Sequence, residues 1–195
     1  MQTDAFTIAD PGMAAALLAG RKTQLRVLDR SPLAGAMPGD RIAVREACIA
    51  GRDVGGQVYS TSLAKAEFVI FADGWRLYRD GSGKAGRRPT DPEHHWISAL
   101  QMPKWASRAT LVIEAVRTER LQQITQRDVR AEGASPLVAG LAWRWPKPVP
   151  GIHPTARRAF ARYWDILHTA PGERWQDNPL TVVLGFRVET HSKLT

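Results

Sequence analysis

The stretch Gly20-Arg21-Lys22-Thr23-Gln24-Leu25-Arg26 constrains the fold most, because an apolar helix must stop there and a strand must begin. Upstream, Asp10 is placed to cap a helix whose first position is Pro11, where proline forfeits only an N–H with no intrahelical partner. Met13, Ala14, Leu17 and Leu18 recur at helical spacing, and Gly20 suits the left-handed residue that ends a helix. These features predict a helix over residues 11–19. From Lys22 to Leu28 polar and apolar residues alternate, which puts Thr23, Leu25 and Val27 on one face and Lys22, Gln24 and Arg26 on the other. Such a row can hold a phosphate, a carboxylate or a polarised carbonyl, since lysine supplies a point charge and arginine a planar fork. From spacing alone the plainer reading is an ordinary solvated strand face.

Further along, residues 6–8 read as a first strand and residues 29–39, rich in Pro, Gly and Ala, as a loop. Residues 41–47 alternate, with Ile42, Val44 and Glu46 on one face and Arg41, Ala43 and Arg45 on the other. Glu46 is then either buried and paired or left in water where the strand ends. Two strands over residues 66–72 and 75–78 flank the hairpin signal Asp73-Gly74. Residues 79–95, with several Gly and Pro among Lys84, Arg87 and Arg88, read as a flexible basic insertion. Trp105 lies between Lys104 and Arg108, so a base could stack on the indole while the cations touch phosphate; the alternative is a core tryptophan. Residues 111–116 form an apolar central strand.

Thr125 and Asp128 make a capping-box pattern for a helix over residues 124–133 that closes at Gly133. Glu132 falls at its C-terminal end, where the helix dipole disfavours a negative charge, so the acid either tolerates a small cost or has a cationic partner. A Pro/Trp-rich loop follows near residues 136–153, including Trp143-Arg144-Trp145-Pro146-Lys147-Pro148. Pro154 opens a helix whose stripe is Ala156, Phe160, Tyr163, Trp164 and Leu167, with Arg157, Arg158 and Arg162 away from it. Those arginines are solvated or offer a protein-interaction surface. Residues 180–188 are the last strand.

The 195 residues are read as one domain over 1–195, enough chain for one well-buried core. Lys and Arg total 27 against 19 Asp and Glu, and the net charge of +8 either favours polyanionic partners, nucleic acid foremost, or serves only to keep a small basic protein soluble. No run reaches the ~18 apolar residues that span a bilayer, and the N-terminus lacks a signal-peptide pattern, so no membrane association and a cytoplasmic location are expected. Cys48 stands alone, no Cys/His set has zinc spacing, and His94-His95 lies in a polar stretch; neither a metal nor a cofactor is expected.

Taken in order, several segments resemble a known family. They are Leu18-Ala19-Gly20-Arg21-Lys22-Thr23-Gln24, Pro38-Gly39-Asp40-Arg41 with Val44-Arg45-Glu46, Met102-Pro103-Lys104-Trp105-Ala106-Ser107-Arg108, residues 121–133, and Trp164-Asp165 ahead of Trp175, Asn178-Pro179 and the final strand. The ordered set resembles the ASCH domain of the PUA-like superfamily, in its phage-associated branch, over nearly the whole chain. The resemblance implies an α+β fold, a small mixed β-barrel of about five or six strands flanked by helices, with a cleft beside the Gly-x-Lys segment. It implies RNA or a nucleotide-like ligand as partner, held by Lys22, Gln24, Arg26 and Arg45, with Glu46, Lys104, Trp105 and Arg108 as further contacts.

Some ASCH proteins are amidohydrolases that remove acyl groups from the exocyclic nitrogen of cytidine, and ribonuclease activity is also ascribed to the family. In the amidohydrolase pattern a lysine is followed three positions later by a nucleophilic threonine, and a glutamate comes from a helix near an Glu-Gly segment. Lys22 and Glu132 match the lysine and glutamate. Leu25 occupies the threonine position and has no oxygen to attack a carbonyl, Thr23 is a substitute on the same strand face, and the arginine falls one residue early at Arg26. A ribonuclease would draw on histidine, and His153 and His168 flank the last helix without an evident partner in sequence.

Overall fold

A computed structural model of the chain describes residues 5–54, 57–89, 95–146, 149–191 and 193–194. It is mixed α+β and rich in sheet. Along the chain come β1 (Phe6–Ala9), α1 (Pro11–Leu18), β2 (Gln24–Leu28), β3 (Arg41–Glu46), β4 (Cys48–Val54), β5 (Gln57–Ser60) and β6 (Phe68–Phe71). There follow β7 (Arg76–Tyr78), β8 (Ser82–Lys84), β9 (Trp96–Ile97), β10 (Ala109–Arg120), α2 (Gln126–Ala131), β11 (Ser135–Leu137) and β12 (Ala142–Arg144). The last are α3 (Ala156–Leu167), β13 (Leu180–Thr190) and β14 (Lys193–Leu194). Among the described residues no helix is long and apolar enough to cross a membrane.

The residues group into two compact units, the first made of 1–5, 12–42 and 111–188, the second of 6–11, 43–110 and 189–195. In the first, the strands lie in the order β10-β13-β2, and β13 runs antiparallel to β2 with Val183 opposite Arg26 and Gly185 opposite Gln24. Helix α1 starts at Pro11 as the sequence predicts and buries Met13, Ala14, Ala16 and Leu17. Gly20 ends the turn at φ +66°, and the amides of Arg21 and Lys22 both reach the Ala16 carbonyl, at 2.9 and 3.1 Å. Thr125 and Asp128 form the expected capping box at the start of α2.

The apolar core of this unit joins Leu28, Leu121, Ile124 and Val129 to Trp143, Trp145, Phe160 and Trp164. Helix α3 buries Ala156, Ala159, Phe160 and Trp164, whereas Leu167, predicted for the stripe, is 55% exposed in the last turn. Residues 136–153, expected as an extended loop, contain an antiparallel pair, β11 with β12, and Trp143 and His153 exchange backbone hydrogen bonds of 2.8 Å. That pairing gives Trp143 a fixed backbone from which its ring enters the core at 2% exposure. Lys147 and Pro148 lie outside the described residues.

In the second unit β1 runs parallel to β3, and a further sheet has the order β14-β8-β7-β6-β4-β5, with β9 also paired to β4. The Asp73-Gly74 hairpin forms as predicted, closed by the Gly74 N–H on the Phe71 carbonyl at 2.9 Å. Cys48, Val69, Phe71, Leu77, Met102 and Ala106 make one cluster under this sheet, and Ile49, Phe68 and Ile70 another. Part of the basic insertion is ordered into β8, where Gly83 lies opposite Leu77 and packs on the Trp75 indole. Residues 90–94, including His94, lie outside the described residues, and His95 is exposed.

Candidate functional site

The segment that leads into and forms strand β2 is inverted with respect to a solvated face: Lys22, just ahead of the strand, and Gln24 and Arg26 within it are buried at 2, 5 and 5% exposure, while Thr23 is exposed and Leu25 and Val27 are half-buried. The alternation is as the sequence predicts, but its polar side points inward. Buried cations need partners, because removing a charge from water costs several kcal/mol, of order 5, unless it is paired and hydrogen-bonded. The first unit supplies them from α2 and β10.

Glu132 is the C-cap of α2, followed by Gly133 at φ +109°, a backbone conformation that residues with a Cβ rarely adopt. This turn brings the glutamate back onto β2. Lys22 Nζ donates to Glu132 Oε2 at 2.7 Å and to the Glu132 carbonyl at 3.0 Å, so one ammonium serves the carboxylate and an open carbonyl at the helix end. Gln24 Nε2 donates to the other carboxylate oxygen at 3.4 Å. Gln24 Oε1 in turn accepts from Arg117 at 3.4 Å, and Arg117 also reaches Asp128 at 2.7 Å and Glu119 at 3.2 Å. Glu119 accepts from Arg26 at 2.5 Å, and Arg26 donates to Thr181 Oγ1 at 3.2 Å. A continuous polar chain thus runs from Lys22 to Thr181.

Lys22, Arg26 and Arg117 face Glu119, Asp128 and Glu132, three positive charges against three negative. The cluster is neutral within a chain of net charge +8. Burial alone would raise the Asp128 carboxyl, but hydrogen bonds from Thr125 and the charge and bonds of Arg117 outweigh it and hold the group below its ordinary 3.8. Burial likewise works against the Arg117 guanidinium, and its bonds to Glu119 and Asp128 reverse the effect, so it is held above its usual range. Both groups keep their charges across neutral pH.

Among the predicted site residues, Lys22, Gln24, Glu132 and Arg26 therefore come together in one network. Thr23 joins by its backbone, donating to the Ala131 carbonyl at 2.8 Å, while its exposed side chain is off the buried polar face. Arg117, Glu119 and Thr181 escaped the sequence reading; Arg117 and Glu119 two apart on β10 share a strand face, a signal present in the pattern but mute about its partners.

Arg45, Glu46, Lys104, Trp105 and Arg108 belong to the second unit. Glu46 takes the paired alternative: it is 5% exposed and accepts two bonds from Arg108, at 2.8 and 2.7 Å. Arg108 also reaches Asp73 at 2.7 Å and lies 4.1 Å from the centre of the Phe71 ring. Although burial opposes its charge, the bonds and charge of Glu46, joined by those of Asp73, hold it above its usual range. Trp105 is half-buried against the Phe71 cluster with the Arg79 guanidinium 5.0 Å from its ring centre, and Lys104 is exposed. Arg45 lies over Phe6 at 4.0 Å and donates to the Leu100 carbonyl at 2.9 Å.

Burial, then the charge of Glu46, pushes the Cys48 thiol up to about 12, which leaves it unreactive near neutral pH. His168 stacks on Trp164 at 4.0 Å with Glu173 3.7 Å from its Nδ1, and burial lowers its proton affinity despite that carboxylate. Among the described residues no group of three or more His, Cys, Asp or Glu is placed to hold a metal ion. No family model, curated protein or solved structure matches the chain.

Proposed function

We propose that this chain is a PUA-like module of the ASCH type that binds RNA, or a nucleotide-like ligand, beside the Gly-x-Lys segment of its first unit. The observation that carries the reading is the buried group in which Lys22 Nζ, the Gln24 amide and the Glu132 carboxylate stand within hydrogen-bond reach of one another. A fixed donor beside a fixed acceptor is what a base edge requires, since each base presents its own pattern of N–H donors and carbonyl or ring-nitrogen acceptors. Neutrality of the cluster favours reading a base over collecting phosphates. The net charge of +8 supplies the long-range attraction to a polyanion. Arg117, with 45% of its side chain exposed, covers Gln24 and is the member that a ligand meets first.

Titration of short single-stranded RNA and of free nucleosides tests this. RNA affinity should fall as salt rises. Arg117→Ala and Gln24→Leu should each weaken nucleoside binding at least tenfold while leaving the thermal transition cooperative. Unchanged affinity in both variants would exclude this site.

A second reading, hydrolysis of the acyl group on the exocyclic nitrogen of cytidine, is favoured by the 2.7 Å contact of Lys22 with Glu132. With Leu25 at the threonine position, water is the nucleophile: its oxygen bonds to the acyl carbon while Glu132 accepts the proton. The C–N bond then breaks, Glu132 returns the proton to the departing nitrogen, and Lys22 stabilises the intervening oxyanion. The products are cytidine and a carboxylic acid. Release of acetate from acetylcytidine, abolished in Lys22→Ala and Glu132→Ala, supports the enzyme. No release by the wild type but some from Leu25→Thr identifies a binding module that has lost its nucleophile.

A further inference from the structure

The second unit contains a cavity of about 390 Å³. That lies within the range of roughly 300–1,000 Å³ typical of small-molecule sites. Its walls are small or apolar, Pro11, Ala47, Ala72 and Ala99 beside the Trp96 side chain, and its ionisable lining residues are Asp10 and Glu46. Trp96 is held on β9 opposite Ile49 and keeps 45% of its surface exposed. Glu46 is fixed by the two bonds from Arg108, at 2.8 and 2.7 Å. A carboxylate offers roughly four lone-pair positions, so Glu46 retains capacity to accept further donors.

The lining residues include no cation, in a protein whose net charge is +8. Phosphate is therefore disfavoured here, whereas N–H donors are welcome. Arg108 divides its charge between Glu46 and Asp73, and Asp10 adds a second carboxylate to the lining, so an organic cation is the competing occupant that the test has to separate from an uncharged ring. An indole facing small apolar walls suits a flat ring, since stacking needs a planar partner and alanine leaves room for one.

We propose that this cavity is a separate ligand site that takes an uncharged, flat heterocycle carrying an exocyclic amino group, the ring stacked on Trp96 and the amino group donating to Glu46. Adenine, cytosine and guanine have this chemistry and uracil lacks the amino group. The site is independent of the Lys22 network. The test is nuclear magnetic resonance titration of the full chain with adenosine, cytidine, uridine and tetramethylammonium, followed at the Trp96 indole N–H, which Trp96→Phe assigns. Adenosine and cytidine should shift that resonance, uridine should bind at least tenfold more weakly, and Ala47→Leu, at an exposed position on the cavity wall, should weaken binding at least tenfold. A nucleoside that binds without moving the Trp96 resonance, uridine equal to cytidine, or a response to tetramethylammonium alone would each overturn the proposal. The first of these results would leave the reading of the Lys22 site standing.

Discussion

Glu132 occupies a helix end that disfavours an anion, and Lys22, just ahead of β2, is buried away from water; each is tolerable because of the other. The two side chains form one unit of charge, with Gln24 and Arg117 completing the bonds that the pair leaves open. Glu132→Gln would leave the Lys22 ammonium buried beside a neutral amide, and chemical denaturation should show a loss of about 3–5 kcal/mol. The double variant Lys22→Met/Glu132→Leu removes both charges and should recover much of that loss. If the single variant unfolds at the wild-type denaturant concentration, the pair is not the buried contact described. Sequence reading came close to this pair. The capping box and Gly133 place Glu132 at a helix end where an anion either tolerates a small cost or takes a cation, but alternation along β2 gives which residues share a face and not which face is buried. The partners are 110 residues apart, so nothing local joins them.

At the scale of elements, local chemistry specified α1, β2, β3, the Asp73-Gly74 hairpin, α2 and α3, because each carries caps, turn residues or a clear period. Strand β4 was not legible. Cys48-Ile49-Ala50-Gly51 is buried without alternation and runs into exposed Arg52-Asp53, so its strand character comes from its neighbours β5, β6 and β9. Gly51 shows the constraint: it lies opposite Phe68, and a Cβ there would come within 2.4 Å of the ring. Gly51→Ala should push the Phe68 ring from its place on Ile49 and Ile70 and cost about 1–3 kcal/mol in a denaturation experiment. No loss of stability would show that Phe68 has room to move. The short strands β8, β11 and β12 were hidden for a related reason, since three residues carry no period, and Gly83 in β8 and Pro136 in β11 weaken the strand signal further.

For the whole molecule, the contrast that matters is between a strongly basic chain and a neutral, buried polar cluster inside it. Composition gives the first and points to polyanions; only the three-dimensional pairing gives the second. Together they are the ground for the proposal that the chain attracts nucleic acid at a distance and reads a base by hydrogen bonds at close range. Chemical-shift mapping of the isotopically labelled chain with cytidine and with a short single-stranded RNA tests this most directly, since it needs no variant. The account predicts that the amides of Thr23 to Arg26 and of Glu132 and Gly133 move with ligand concentration. A ligand that binds while these amides stay in place would contradict it.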